Sequence, residues 1–220
     1  MFIGHYALAF AAKRAAPTAS LGSLFLACQF ADLLWPSFLL LGIESVEIAP
    51  GNTVVTPLNF VRYPYSHSLV MLGVWSVLFA LVYRVVRGRR YMAMATLASL
   101  VFSHFALDFI THRPDLPITI NGATRVGMGL WNVPAIELPL ELLMLAAGLF
   151  LYLRVTEARD RIGAVALWVL VVFLYAVHLA NFFGPPPPSV AAVAWSAQLL
   201  WLVVLWGYWI DRHRTPGHLE

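Results

Sequence analysis

The sequence predicts an all-α membrane protein, a polytopic bundle of six transmembrane helices with a short half-helix at the N-terminus. Of its 220 residues, 60% are hydrophobic and only 11% are charged. The mean hydropathy of +0.77 lies far above that of a soluble domain. Apolar stretches recur from Ala19 to Trp209 with no polar block long enough to fold separately. A soluble enzyme on a single membrane anchor is therefore excluded.

The first apolar segment, residues 2–12, is too short to cross a bilayer, because a span needs about 20 apolar residues. Its basic residues, Lys13 and Arg14, follow the apolar run, whereas a secretory signal carries them before it. We predict a re-entrant or tucked half-helix. Its start, with Gly4 and His5, should be buried in the bundle, because free backbone ends are not tolerated in lipid.

Six longer apolar segments follow, each near the length that crosses a hydrocarbon core about 30 Å thick. They are residues 18–43, 65–86, 91–109, 135–153, 162–183 and 190–210. Turn-forming residues, arginines or a proline run separate them. The sequence therefore predicts one integral membrane domain, residues 1–214, and a cytoplasmic tail, residues 215–220.

The basic residues orient these spans, because Lys and Arg concentrate in cytoplasmic loops. With both termini on one side, the opposite side receives only three of the 14 Lys and Arg residues, namely Arg62, Arg113 and Arg125. The prediction is a multi-pass protein with both termini in the cytoplasm. The arginines lie in short loops rather than in a basic patch interleaved with exposed aromatic residues, so the sequence does not indicate nucleic acid binding.

Polar and ionisable side chains recur inside the spans, although a charged one costs about 2.5–3.5 kcal/mol to insert. Such groups usually face the bundle interior for a functional reason. They are Asp32, His67, His104, Asp108, Glu137, Glu141, His178 and Asn181. With the orientation above, all of them map to the outward half of the bundle. This convergence indicates a single site.

His104 and Asp108 are four residues apart, so on a helix they project from one face and can bind one ion together. His112 continues that face. With two further histidines and another carboxylate, the pair makes a nitrogen and oxygen set that favours zinc, with manganese or iron as alternatives. Five candidate ligands leave room for one or two divalent ions. The single cysteine, Cys28, excludes a thiolate cluster.

Structural roles remain open for several of these residues. A lone histidine at the end of a span, such as His67 or His178, is more often a hydrogen-bonded interfacial residue than a ligand. Glu137 and Glu141 flank Pro139 near the start of a span, where an acidic side chain also stabilises a helix N-terminus. The sequence leaves a structural role and a site role equally open for the two glutamates.

Four short motifs occur in an order that resembles a known family. They are Gly4-His5, Asp32 late in the first span, Tyr65-Ser66-His67-Ser68, and Ser103-His104-x-x-x-Asp108. Over about residues 1–135, this order is similar to that of the bacterial inner-membrane family of membrane-bound metal-dependent hydrolases. The resemblance implies a metal site formed by His5, Asp32, His67, His104 and Asp108.

Two motifs depart from the family pattern. Where the family has Asp-Ile-Asp-His, this chain has Asp32-Leu33-Leu34-Trp35. Where the family has His-Arg-Gly-x-Thr-His-Ser, this chain has Val61-Arg62-Tyr63-Pro64-Tyr65-Ser66-His67-Ser68. One metal of a possible pair is thus lost or held differently, and Glu137, Glu141 or His178 could substitute for the missing ligands.

The leading hypothesis is a membrane-embedded metal-dependent hydrolase of the bacterial inner membrane that acts at the outer face. Its expected partners are membrane lipids, and its substrate a phosphoester of a lipid or a lipid-linked compound. The ion would activate water and polarise the reacting oxygen. Glu141 or Glu137 would act as general base. Arg62, Arg113 and Arg125 would bind the phosphate, because a guanidinium binds phosphate bidentately.

Two alternatives use the same residues. A transporter or channel would move a metal ion or a proton through the intramembrane His, Asp and Glu cluster. Against it, the cytoplasmic halves of the spans are almost wholly apolar, and no inverted repeat of broken helices is evident. A non-enzymatic scaffold would use a closed metal site only to tie the half-helix to the bundle.

Overall fold

A computed structural model describes residues 1–217 and confirms the predicted polytopic helical bundle. Five helices are long and apolar enough to cross a membrane, and a bent pair counts as a sixth span if it is taken as one. The helices are α1 Ile3–Ala12, α2 Leu21–Cys28, α3 Phe30–Leu40, α4 Pro64–His67, α5 Leu69–Arg87, α6 Tyr91–Thr111, α7 Pro134–Val155, α8 Arg161–Phe183, α9 Val190–Gln198 and α10 Leu200–Arg212. The last two helices together make one 23-residue span. Residues 218–220 of the predicted tail lie outside the described residues.

The N-terminal half-helix, α1, lies inside the bundle, as predicted. Both Gly4 and His5 at its start are buried. It packs mainly on α7, where Gly148 lets the two helices approach: a Cβ on Gly148 would lie 2.2 Å from the carbonyl oxygen of Ala7. Just past its other end, Lys13 donates to the Ala19 carbonyl and to Asp211 in α10. The half-helix is therefore fixed at both ends.

The first predicted span, residues 18–43, is not one straight helix. It is broken at Gln29 into α2 and α3, which meet at an angle of 56°. The break frees the carbonyl of Cys28, which accepts a hydrogen bond from His104 Nδ1 (2.9 Å). It also places Asp32 in the first turn of α3, where a negative charge is favourable. The exposed backbone groups of the break are thus compensated inside the bundle.

Three short antiparallel β-ladders occupy segments for which the sequence predicts only loops or a tail. They pair β1 Ser45–Ile48 with β2 Leu58–Arg62, β3 Leu116–Pro117 with β4 Arg125–Val126, and β5 Thr156–Ala158 with β6 Arg214–Pro216. The turn between β1 and β2 lines a cavity, and the amide of Val55 in that turn donates to the Trp131 carbonyl. This turn therefore forms part of the cavity wall.

A part of the interior that does not line the cavity is filled by aromatic rings. Tyr6 packs on Phe25, Phe25 on Phe10, and Phe10 on Tyr152, with ring centroids 5.0, 5.2 and 5.3 Å apart. All four side chains are fully buried. By contrast, the outer faces of the long helices carry exposed apolar residues such as Val172, which is expected of a surface that contacts lipid.

Candidate metal centre

The five residues predicted as metal ligands lie together in the structure. We name them the His/Asp centre, which comprises His5, Asp32, His67, His104 and Asp108. Their side chains come from α1, α3, α4 and α6. Their candidate ligand atoms fall into two groups that share His104, and within each group all atoms lie within 4.8 Å of one another. Four separate elements therefore converge on one point of the bundle.

Two carboxylates organise the centre. Asp108 Oδ2 lies 3.3 Å from His104 Nε2 and 3.9 Å from His67 Nε2. Asp108 Oδ1 accepts from the nitrogen of Met1 (2.8 Å) and lies 3.2 Å from His5 Nε2. Asp32 Oδ1 lies 3.3 Å from His67 Nε2 and 3.7 Å from His104 Nε2. Imidazole nitrogens thus surround each carboxylate.

The sequence Pro64-Tyr65-Ser66-His67-Ser68 explains how His67 is placed. Proline suits the first turn of a helix, where its missing N–H is not needed, and Pro64 begins the four-residue helix α4. Ser68 then ends α4 and caps α5 by accepting from the Met71 amide (3.2 Å). His67 is therefore the last residue of α4, held next to the start of α5.

Three histidines near the centre bind an oxygen through Nδ1 and turn Nε2 toward the carboxylates. His67 Nδ1 lies 2.7 Å from Ser66 Oγ, and His104 Nδ1 lies 2.9 Å from the Cys28 carbonyl. His112 Nδ1 lies 2.9 Å from Asp115 Oδ1. In metal sites, such outer partners fix the tautomer of a histidine and direct its Nε2 lone pair at the ion.

Glu44 completes the arrangement around His67, and sequence reasoning missed it. Its buried carboxylate accepts from the amides of Tyr65 (2.8 Å) and Ser66 (2.9 Å) and from Ser66 Oγ (2.6 Å). Because the one hydroxyl proton of Ser66 goes to Glu44, Ser66 Oγ must accept from His67 Nδ1. Glu44 just follows an apolar span, so the sequence offers no signal that separates it from a surface glutamate.

Loss of the hydrogen bonds that link Glu44, Ser66 and His67 is expected to weaken metal binding without removing a predicted ligand. In Glu44→Ala and Ser66→Ala variants, we expect an affinity for Zn²⁺ or Mn²⁺ about 10- to 100-fold lower, because His67 is no longer held in one tautomer. Titration against a competing chelator measures the affinity. Glu47→Ala is the matched control, since Glu47 is an exposed glutamate of the same segment. An equal loss in the control, or native affinity in both variants, would contradict the role of Glu44.

His112 and Asp115 form a second pair beside the centre. His112 Nε2 lies 3.9 Å from Asp108 Oδ2. Asp115, in the loop after α6, accepts hydrogen bonds from His112, from Arg113 Nε (3.0 Å) and from the Tyr63 hydroxyl (3.1 Å). Burial raises the pKa of the Asp115 carboxyl, but these hydrogen bonds outweigh it and hold the pKa below its ordinary value. Asp115 is absent from the residues predicted for the site, although its spacing of three from His112 is visible in the sequence.

A cavity of about 710 Å³ joins the centre to the rest of the site. Its polar wall includes Asp32, His67, Asp108 and His112. Facing these are polar residues of α7 and α8, and the remaining lining is mostly apolar. The polar residues from α7 and α8 are Glu137, Glu141, His178 and Asn181, and the apolar ones from α8 to α10 include Phe173, Val177, Val193, Leu200 and Val203. The cavity thus has a polar part and an apolar part.

Glu141 and Glu137 take different positions. Glu141 accepts from the amides of Phe2 (3.0 Å) and Gly4 (2.8 Å), so it stabilises the start of α1 rather than of its own helix, α7. Glu137 is equally buried, but its Oε2 has no hydrogen-bond partner within residues 1–217. The general-base role predicted for the pair stays a prediction.

The structure does not bring the three predicted substrate-binding arginines to the cavity wall. Arg62 and Arg125 line a separate pocket of about 300 Å³, and Arg125 donates to the Val61 carbonyl (2.8 Å). Arg113 binds Asp115 and Asn59. Within residues 1–217, the cavity lining includes no Lys or Arg side chain. Phosphate binding by these arginines stays a prediction.

Comparison of the chain with protein-family models, with curated proteins and with solved structures found no match. Any function must therefore be inferred from the fold and from the geometry of the site.

Proposed function

We propose that the protein is a membrane-embedded metal-dependent hydrolase of the bacterial inner membrane that acts on a phosphoester of a lipid or lipid-linked compound at the outer face. One observation carries the proposal. Histidines anchored through Nδ1 direct their Nε2 atoms at two carboxylates in the wall of a cavity of about 710 Å³. The motif order that resembles the membrane-bound metal-dependent hydrolases supports the same reading.

The side chains of the His/Asp centre fit a divalent ion. Three imidazoles and two carboxylates suit zinc, manganese or iron. His104 Nε2 is buried and, although it lies 3.3 Å from Asp108 Oδ2, it makes no hydrogen bond of suitable geometry with any described residue. An unpaired buried polar atom is costly, and an ion at Nε2 would remove that cost. When bound there, the ion would activate water and polarise the reacting oxygen.

His112 is the side chain best placed to move a proton. It lies on the cavity wall beside the His/Asp centre, and Asp115 holds its Nδ1. Its Nε2 can therefore accept a proton from the attacking water and return it to the leaving group, as a general base and acid. Tyr63 and Arg113 fix Asp115 in turn, so the pair is rigid before any substrate binds.

The shape of the cavity supports a lipid-like substrate. Its volume falls in the range of about 300–1,000 Å³ that holds small ligands. A phosphate ester can lie against the polar wall while an acyl or isoprenoid tail lies along Val177, Leu200 and Val203. An apolar lining of this kind favours a substrate with an apolar tail, because it offers no hydrogen bonds to a small hydrophilic molecule.

The aromatic packing that follows His5 along α1 disfavours transport. Tyr6 and Phe10 follow His5 along α1, and the buried rings of Tyr6, Phe25, Phe10 and Tyr152 contact one another in a chain. A metal ion moving through the protein would need charged side chains or water at this depth, whereas the only side-chain polar groups of these four rings are the buried hydroxyls of Tyr6 and Tyr152. The packing is that of a site with access from one side.

Hydrolysis by the purified protein tests the proposal. With added Zn²⁺ or Mn²⁺, we expect release of product from a phospholipid or a long-chain phosphodiester. We expect His112→Gln to lower turnover by about 10²-fold or more, because general catalysis contributes 10²–10⁴-fold, while ion content stays unchanged. His213→Gln is the matched control, since His213 binds Asp160 and does not line the cavity. Ion flux in liposomes without any hydrolysis would favour transport and refute the proposal.

A further inference from the structure

We infer that Glu137, Glu141 and His178 form a second cation site, on the wall of the cavity made by α7 and α8. We name these three residues the Glu/His site. One ligand atom from each lies within 4.8 Å of the others. The two glutamates are four residues apart on α7 and so share a face, and His178 approaches from α8. No residue is shared with the His/Asp centre, so this inference does not depend on the proposed hydrolysis.

Two unpartnered atoms point to a missing ligand. All three side chains of the Glu/His site are about 99% buried, with 1% of each exposed. Glu137 Oε2 and His178 Nε2 find no hydrogen-bond partner anywhere in the described part of the chain. Each such atom costs free energy when it is withdrawn from water. A single cation between them would satisfy both.

The charge of the site leads to the same ligand. Two carboxylates this close are costly when both are ionised, so either one of them takes up a proton or a cation neutralises the pair. Lys and Arg side chains are absent from the cavity lining within residues 1–217, and the nitrogen of Met1 binds Asp108 and Thr111. A proton shared by the glutamates would still leave His178 Nε2 unpaired. A divalent cation neutralises the carboxylates and also binds the imidazole.

Two of the three side chains, Glu141 and His178, are already held in place by their neighbours. Glu141 is fixed by the amides of Phe2 and Gly4, and a carboxylate has about four lone-pair positions, so it can also bind an ion. The ring of His178 is stacked on Phe2 at a centroid distance of 6.4 Å and packed against the edge of Phe182 at 5.0 Å. Such preorganisation is what a metal site needs, because little is lost in ordering its ligands.

The donor atoms indicate which ion binds. With two carboxylates and one imidazole, the Glu/His site is richer in oxygen than the His/Asp centre, and oxygen ligands favour Mn²⁺ over softer metals. In this assignment Glu137 and Glu141 are ligands, which replaces the general-base role that the sequence predicts for them. His112 remains the group that moves protons.

Manganese binding to a protein that lacks the His/Asp centre tests the inference. In a His67→Ala, His104→Ala double variant, Mn²⁺ titration followed by electron paramagnetic resonance should show one ion bound per chain. Adding Glu137→Gln or His178→Leu should abolish that binding. Adding Glu47→Gln, which changes an exposed glutamate, should leave it unchanged. A double variant that folds and binds no Mn²⁺ would overturn the inference.

A second measurement covers the case in which the double variant does not fold. In the otherwise unchanged chain, Glu137→Gln preserves the shape of the side chain and should lower the Mn²⁺ content by one ion per chain relative to the wild type. An unchanged content would refute the Glu/His site, because its ligands would then hold no ion. If Glu137→Gln lowers the Mn²⁺ content by one ion per chain but the wild-type protein shows no hydrolysis, the proposed function alone is refuted.

Discussion

Replacement of His104 by alanine is expected to empty the His/Asp centre of its ion and to abolish metal-dependent hydrolysis. His104 belongs to both overlapping groups of ligand atoms, and its Nε2 faces Asp108 and Asp32. Its ring also stacks on that of His5 at a centroid distance of 3.9 Å. The loss of affinity should exceed the 10- to 100-fold expected of an outer partner. Elemental analysis and turnover measured on the same sample test both effects.

Two further variants make the result specific. His104→Ala leaves a cavity in a buried helix, which by itself destabilises the protein. Asp108→Asn preserves the volume of the side chain and should also release the ion, because one carboxylate oxygen becomes an amide nitrogen. His213→Ala removes a histidine that binds Asp160 and should retain both the ion and the activity. Full ion content in Asp108→Asn would refute the assigned centre.

The proximity of the five residues of the His/Asp centre could largely be predicted, because lipid imposes a strict constraint. A charged residue inside a span is costly unless it faces the bundle interior, so Asp32 and Asp108 had to turn inward whatever the detailed packing. The spacing of His104 and Asp108 then fixed their common face before any tertiary contact was known. His5 is different: only the resemblance indicated it as a ligand, because its half-helix is too short to be oriented by the rule for spans.

The residues that hold the histidines in place from outside the centre, such as Glu44, could not be predicted. Only tertiary contacts distinguish them from surface residues of the same type. Glu44 and Glu47 are three residues apart in the same segment, yet Glu44 is buried against Ser66 and Glu47 is exposed to solvent. The bend at Gln29 also escaped prediction, since hydropathy measures whether a segment is apolar and not the direction of its axis. The arginines were assigned to one side of the membrane by charge alone, which does not place them at a cavity.

Replacement of Gly148 by alanine is expected to lower the free energy of unfolding by about 1–3 kcal/mol, the usual cost of overpacking a well-packed interior. A Cβ at this position would lie 2.2 Å from the carbonyl oxygen of Ala7 and 2.9 Å from its Cα. These are backbone atoms, so α1 itself must move away from α7. That movement would pull Phe2 and Gly4 off Glu141 and His5 off Asp108. Ion content should therefore fall together with stability, as measured by unfolding in detergent.

Gly73→Ala provides the matched control, because it makes the same chemical change in another long apolar helix. Nothing lies within 4 Å of a Cβ at Gly73, and alanine is favoured over glycine in a helix by about 1 kcal/mol. The intrinsic gain is common to both substitutions, so the difference between them isolates the contact of α1 with α7. Equal stability of the two variants would mean that α1 can shift freely. In that case His5 could not be held at the His/Asp centre by the packing of the half-helix.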